Sequence, residues 1–296
     1  MNDISRMLDA DISEVFTENF EAYPIEWPSF VTEKKSNKLV MKYDTMGNIS
    51  EAYIKTESDN ISYRKIQQAY QTSCTMKTIV NGICISLEAK TFDQYSGTSE
   101  AHGKELARTM REFEENRVIR WYDNVTTAAY ALADGAVWAT NSRPLYNCPG
   151  TFNDTYATTA SLKTPENHKT MIKMFADFKN HAGGKIKAFP TDGLTHRYNM
   201  SDIQEVYSSD NKSGEFSNTK NMLPSIQWHY STYMSDTNGW SMFDRRFPNL
   251  CFVKYMGIQK NAIQDVKDTL DFYYNVYEMF ETCVIPNPGW VWNDGA

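Results

Sequence analysis

Apolar positions fall into helical and strand-like stretches along the chain. Ile4, Met7, Leu8, Ile12, Val15, Phe16 and Phe20 recur at helical spacing, with Asp3 placed as a cap. This helix is expected to stop before Pro24, because the residue preceding a proline avoids helical angles. "YPIEWPSF" then reads as a stiff, extended connector. A helix followed by such a connector suits an arm that docks elsewhere, and equally a helix packed on its own domain. From Asp44 to Lys65 the chain reads as two extended arms around a turn, with few large apolar side chains and many charges. A lone two-stranded ribbon is marginal in water, since it buries too little surface to offset its ordering entropy.

Further on, "CTMKTIVNGICISLEAK" alternates as a strand or hairpin does, with Asn81-Gly82 as a turn signal. Ser99 to Leu132 reads as one long helix, bent once. Leu106, Met110 and Phe113 share its apolar face, and Val118, Tyr122, Val125, Ala129 and Leu132 continue it. "ADGAVWATNSRP" ends it with a Gly turn and a short strand. Residues 147–163 are polar and turn-rich, the mark of a domain boundary or exposed loop.

Thr164 and Pro165 open the next helix, with Met171, Ile172, Phe175 and Phe178 inward and Gly183-Gly184 closing it. "KIKAFP" is a short strand, and Ser201 caps a helix through Ile203, Val206 and Tyr207. Residues 208–221 are the most loop-like of the chain. From Ile226 strands dominate, ending in a long run with Leu270, Phe272, Tyr274, Val276, Phe280 and Val284 on one face. "IPNPGWVWNDGA" follows as a tail. Helices mixed with antiparallel strands make the chain α+β.

Composition narrows the function more than the fold. The 296 residues suit one large domain or two ordinary ones, and 41% hydrophobic with 23% charged residues fits a folded protein. A net charge of −7 argues against sequence-independent binding of nucleic acid, whose phosphates need a basic surface. Cys74, Cys84, Cys148, Cys251 and Cys283 are scattered without a CxxC, so they read as reduced, mostly buried thiols. The acidic, amphipathic start is no signal peptide, and no apolar run approaches the ~20 residues that cross a bilayer.

A search for chemistry finds none. His168 and His181 lack metal spacing, while His102, His196 and His229 stand alone. There is no GxSxG elbow, no phosphate-cradling Gly loop and no GxGxxG. "SDTNGW" lacks the rest of a calcium loop and reads as a β-turn. Asp265, Asp268 and Asp271 fall on opposite faces of a strand-like run, and Arg245-Arg246 reads as a salt-bridging pair. The expectation is no catalytic residue, no metal and no cofactor.

The order of segments, however, resembles the tailed-phage major capsid protein family. "GICISLEAKTFDQYSGTSEAHGKELARTMREFEENRVIRWYDNVTTAAY" looks like that family's junction of strand and spine helix. "ALADGAVWATNSRP" resembles the turn after the helix, with Arg143-Pro144 where the family has His-Pro. "TFNDTYATTASLKTPENHKTMIKMFADFKNHAGGKIKAFP" is similar to the polar loop, helix and strand that follow. "LPSIQWHYSTYMSDTNGWSMF" and "DFYYNVYEMFETCVIPNPGWVW" look like the carboxyl-terminal strands. The resemblance spans about Asp44 to Trp292.

The resemblance implies four parts: an N-terminal arm (1–37), an extended loop (38–70), a peripheral domain with the spine helix (71–146 and 266–296) and an axial domain (147–265). Glu51, Tyr53, Lys55, Arg64 and Lys65 would contact a neighbouring subunit from the loop. Met7, Val15, Phe16 and Phe20 would dock the arm, and Leu106, Met110 and Phe113 would stiffen the spine.

It also implies a non-enzymatic shell protein of a bacteriophage virion, assembled in the host bacterial cytoplasm as pentamers and hexamers around double-stranded DNA. DNA would be enclosed without sequence-specific binding and without a membrane. Partners would be a separate scaffolding protein, a portal and, in some heads, a decoration protein. With only about 35 residues before the loop, no cleaved scaffold segment is expected, and no covalent crosslink through Lys55 or Lys65. An encapsulin-like nanocompartment shell is the alternative, and a monomeric ligand-binding protein or enzyme the third reading.

Overall fold

The computed structural model describes residues 2–46, 57, 60, 68–86, 98–140, 143–144, 151–152, 156–157, 161–179, 184–208, 223–265 and 272–295. Two sheets organise them. The first has the order β1 (Thr32–Lys35), β11 (Leu250–Asp265), β12 (Phe272–Val284), β4 (Lys77–Ile85). In it β1 runs parallel to β11, and the other pairs are antiparallel. The second has the order β7 (Tyr156–Ala157), β13 (Trp290–Asn293), β10 (Trp240–Phe243), β8 (Asp192–His196), β9 (Gln227–Ser231). A two-stranded ribbon, β2 (Val40–Met46) with β3 (Gln68–Thr75), stands apart, as does the short pair β5 (Arg143–Pro144) with β6 (Thr151–Phe152).

Two long helices cover one face of the first sheet. Helix α1 spans Asn2–Ala22 and α2 spans Thr98–Asp123. Ile12, Phe16 and Phe20 of α1 pack with Leu106, Ala107 and Met110 of α2 over Tyr274 and Val276 of β12. The helices come close at Gly103, where a side-chain carbon would lie 3.2 Å from Val15 Cγ1 and 3.4 Å from the Ile12 carbonyl oxygen. Exposed turns of α2 are laced by Lys104–Glu100, Arg108–Glu105 and Arg108–Glu112 pairs, spaced as helix neighbours must be.

The second sheet is buried on both faces. Trp290 and Trp292 of β13 face Tyr122 and Trp138, whereas Val291 faces Met171, Phe175 and Ile203. The latter come from α3 (Pro165–Met174), the helical turn after it, and α4 (Met200–Ser208). Strand alternation alone sends neighbouring residues of β13 into the two cores. At Gly239, before β10, a side-chain carbon would lie 2.6 Å from the Trp292 ring, so only glycine fits.

Several sequence expectations change in the fold. The long helix stops at Asp123, nine residues before Leu132. Asn124 Nδ2 closes it on the Arg120 carbonyl at 2.8 Å, and Val125 then turns into the core. Asn81-Gly82 is no turn, because nine residues of β4 pair continuously with β12 and outweigh the local signal. The chain changes partners instead at Met76, between β3 and β4. "YPIEWPSF" is not extended throughout, since Trp27–Ser29 form a helical turn that buries Trp27.

"KIKAFP" makes only the isolated Lys179–Lys185 bridge; the strand lies at Asp192–His196, fully inside the second sheet. Ser201 lies within α4 rather than capping it. The expected loop at 208–221 falls outside the described residues from 209 onward. The tail is no tail: β13 is an inner strand.

Candidate assembly surfaces

Of the arm residues, Phe16 and Phe20 are buried and stack on each other at 5.5 Å, against α2 of the same chain. Val15 is half-buried beside Gly103. Met7 lies in α1, outside the residues whose side chains are described. Arg111 of α2 clasps this helix end, donating from Nε to the Phe20 carbonyl at 2.8 Å with its guanidinium 3.6 Å from the Phe20 ring centre.

Along the spine, Leu106 and Met110 are buried, but Phe113 is 43% exposed and meets the Phe280 ring edge-on, at 6.3 Å between ring centres. Of the apolar face expected for Leu106, Met110 and Phe113, the third residue lies at the exposed margin. The buried row steps from Met110 to Glu114 and Val118, the four-residue ridge of the helix, and Phe113 falls beside it. Met110→Ala is therefore expected to cost about 2–5 kcal/mol and Phe113→Ala under about 1 kcal/mol, read from urea midpoints.

The loop residues Glu51, Tyr53, Lys55, Arg64 and Lys65 lie outside the described residues. The base of their ribbon is described, and it leans on its own chain. Cys74 of β3 and Met76 pack with Cys251, Val253, Cys283 and Ile285 of the first sheet, with Met41 and Tyr43 alongside. Cys74, Cys251 and Cys283 are buried free thiols, and Cys84 is an exposed one. A hydrogen bond with Cys74, followed by burial, raises the Cys283 thiol far above its ordinary range. Of the tip, Glu57 and Asn60 are exposed.

An ionic seam, invisible to motif reading, joins α2 to the first sheet. Glu114 and Glu278 are both fully buried, and Lys254 of β11 lies between them at 3.2 and 3.3 Å. Arg111 supports Glu114 at 2.7 Å, while Glu278 is paired among the described residues with Lys254 alone of the cations. Burial first, and then the Glu114 charge, push the Glu278 carboxyl up to about 7. One turn on, Arg117 holds Glu281 through two bonds of 2.9 and 2.8 Å, with Lys77 at 3.2 Å. Burial pushes Glu281 up, but Arg117 and Lys77 outweigh it and leave the carboxyl below its usual range.

A second seam ties the two sheets together through the connector. Glu115 of α2 accepts the Glu26 and Trp27 backbone N–H groups, the latter at 3.2 Å, and burial raises it to about 7. Glu26 in turn accepts the Thr232 N–H at 3.1 Å, just past β9. Arg245 donates to the Ser29 carbonyl and pairs at 3.1 Å with Asp192, which also holds His229 at 2.8 Å. Arg246 pairs with Asp244, so both arginines are structural.

The signal for these sites was present in the sequence as glutamates on the apolar ridge of α2, at Glu114, four residues from both Met110 and Val118. His168 is likewise structural. It is wholly buried between the Tyr207 hydroxyl (3.1 Å) and the Leu162 carbonyl (2.6 Å), and burial lowers it to about 4. Among the described residues no group of three His, Cys, Asp or Glu side chains is placed to hold a metal, and no helix is long and apolar enough to cross a membrane.

Comparison with solved structures gives this arrangement a counterpart. A virus-like particle protein of Pyrococcus furiosus superposes with a TM-score of 0.58 at 11% identity, covering 96% of this chain and 98% of that one. A chain of the mature capsid of bacteriophage PhiM1 matches at 0.58 and 11% identity, over 93% and 88%. The capsid of a native GTA particle matches at 0.58 and 7%, over 90% and 89%. The fold is that of tailed-phage capsid proteins. No family model matches the sequence, and no curated protein matches it either.

Within the capsid fold, β11 (Leu250–Asp265) pairs with β1 and β12, β4 pairs with the other edge of β12, and β13 (Trp290–Asn293) lies in the other sheet. Strand pairing thus sets residues 250–265 beside the spine helix and residues 290–293 beside α3 and α4.

Proposed function

We propose that the chain is a major capsid protein whose copies assemble into a closed icosahedral shell around double-stranded DNA. The observation that carries this is the end-to-end match to shell-forming chains, over 96% of this chain and 98% of the particle protein. Head-to-tail contacts close into rings, and many moderate contacts act together once a lattice closes. The first sheet with α1 and α2 is the peripheral domain and the second sheet the axial domain. On this reading residues 250–265 belong to the former and 290–293 to the latter. The net charge of −7 suits a container that does not grip the DNA it holds.

The extended loop, residues 38–70, is taken to contact a neighbouring subunit from a ribbon base that packs on its own first sheet. Glu51, Tyr53, Lys55, Arg64 and Lys65 supply exposed pairs across that boundary, each adding ~0.2–1 kcal/mol. Scaffolding, portal and decoration proteins are the expected partners, with assembly in the host bacterial cytoplasm. The protein has no catalytic role.

Electron microscopy and light scattering of the expressed chain test this. Closed particles are expected, and replacing residues 47–67 by a short Gly turn should cut their yield by at least about tenfold without lowering the melting temperature. A species that stays at 34.1 kDa at every concentration would sink the proposal. Particles that hold an enzyme cargo instead of DNA would point to a nanocompartment.

A further inference from the structure

Four sulfur-bearing side chains line up across the first sheet and the ribbon. In the β11–β12 ladder Cys251 stands directly opposite Cys283, and in the ribbon Met41 stands opposite Cys74. Between them the chain changes partners, yet the register carries over. Lys77 of β4 pairs with Phe280 of β12, and three residues beyond that pair lie Cys74 on one strand and Cys283 on the other. Met41, Cys74, Cys283 and Cys251 thus form one cross-strand row, and opposed residues share a face. The packing agrees. Cys74, Cys251 and Cys283 are buried in one cluster with Met76, Val253 and Ile285, and Met41 and Tyr43 cover it.

The middle thiol, Cys283, has a neighbour on either side. A disulfide needs Cα atoms about 4.4–6.8 Å apart and a Cβ–S–S–Cβ angle of roughly ±90°. Opposed residues of an antiparallel ladder meet the first condition. Cys251 and Cys283 are both fixed by that ladder, so neither backbone can turn to meet the second without breaking ladder bonds. The Cys251 sulfur is moreover engaged by the Lys34 ammonium, which lies 4.4 Å from the centre of the Tyr43 ring. Cys74 is different. Its strand makes its ladder with β2, so it can shift against the sheet, and its thiol shares a hydrogen bond with that of Cys283.

We propose that Cys74 and Cys283 form a modification site, a dithiol that closes to a disulfide by exchange with a small disulfide such as oxidised glutathione, and so staples the base of the ribbon to the first sheet. The Cys283 thiolate attacks one sulfur of the small disulfide, and the other leaves as a thiol. The Cys74 thiolate then attacks the Cys283 sulfur of the mixed disulfide and expels the second thiol. Two hydrogens pass from the protein to the two small thiols, so the protein pair is oxidised and the small disulfide reduced. In the packed fold neither step begins. The Cys74 hydrogen bond, and then burial, keep the Cys283 thiol protonated, so exchange waits for β3 to lift from β12. A reduced ribbon base can still rise from the sheet, and an oxidised one is held down. Cys84 stands outside the row, exposed on β4 opposite Tyr273.

The test holds the reduced, full-length protein with oxidised glutathione. Expected are a product lighter by two hydrogens, a peptide map that joins the segments bearing Cys74 and Cys283, and a melting temperature higher by at least about 4 °C. Dithiothreitol should reverse all three. Cys74→Ser should abolish the link and the thermal gain, whereas Cys84→Ser should keep both. Cys74→Ala replaces Cys74→Ser if the serine lowers the melting temperature of the reduced protein, and the map of the wild type needs neither. A map joining Cys251 to Cys283, oxidation confined to Cys84 or Cys148, or an unaltered mass overturns the proposal. So does a glutathione adduct that goes no further, or a link that leaves the melting temperature where it was. Shell formation is scored separately, so the staple and the shell reading can each fail alone.

Discussion

Lys254→Met is expected to destabilise the protein by about 3–5 kcal/mol, because it strands a buried carboxylate. Glu114 keeps Arg111 at 2.7 Å, but among the described residues Lys254 is the one cation paired with Glu278. The companion change Glu278→Gln removes the surplus charge and leaves Lys254 paired with Glu114. It is therefore expected to stabilise near pH 8.

The sign follows from the titration. Glu278 is held at about 7 in the fold against an ordinary 4.5, so the fold favours its protonated form. That contribution is fully present below pH 4.5 and is lost as the pH rises through 7. Glu115, held at about 7 by burial, acts in the same direction. Glu281, held below its usual range, acts oppositely and loses its contribution on acidification. Melting curves from pH 5 to pH 8 should show Glu278→Gln gaining on the wild type as pH rises. A constant gap, or a loss at pH 8, would refute the shared-ammonium account.

The second large effect is at Trp290, which is 2% exposed and stacks on Trp138 at 4.3 Å between ring centres. It also meets Tyr122 and Trp292, at 6.5 and 6.1 Å between ring centres. Trp290→Ala should cost about 3–5 kcal/mol in urea unfolding, the range for an emptied aromatic site. Trp290→Phe should cost under about 1.5 kcal/mol, since the Trp290 Nε1–H has no partner to lose among the described residues. Similar costs for the two variants would show that the indole nitrogen matters and that its neighbourhood differs from the one described.

These two sites mark where sequence reading stops. The apolar repeat of α1 was legible because burial follows the 3.6-residue period, and Phe16 and Phe20 bear it out. The alternation of Tyr274, Val276 and Phe280 was legible for the same kind of reason, with period two. The long helix was found, but its end was not. Val125 and Leu132 are buried by a turn entering the core, and a buried apolar residue looks alike in helix and turn.

Asn81-Gly82 misled because local turn preference is weak beside a nine-residue ladder to β12. The closing Trp-Val-Trp looks like a tail in the sequence because a four-residue strand carries almost no periodic signal. The ionic seam was hidden more deeply. Glu114, Lys254 and Glu278 lie on three elements, and nothing in their spacing announces that they meet.

The sequence by itself determined which faces of the helices and long strands are apolar, and that the chain is α+β without a catalytic motif. Short-range periodicity suffices for that, because it is set by backbone geometry within each element. Only the tertiary structure decided that β13 enters the second sheet, that β3 parts from β4 at Met76, and that one lysine serves two buried glutamates. Those outcomes depend on contacts between residues far apart in the chain, where the gain from pairing and burial overrides local preference.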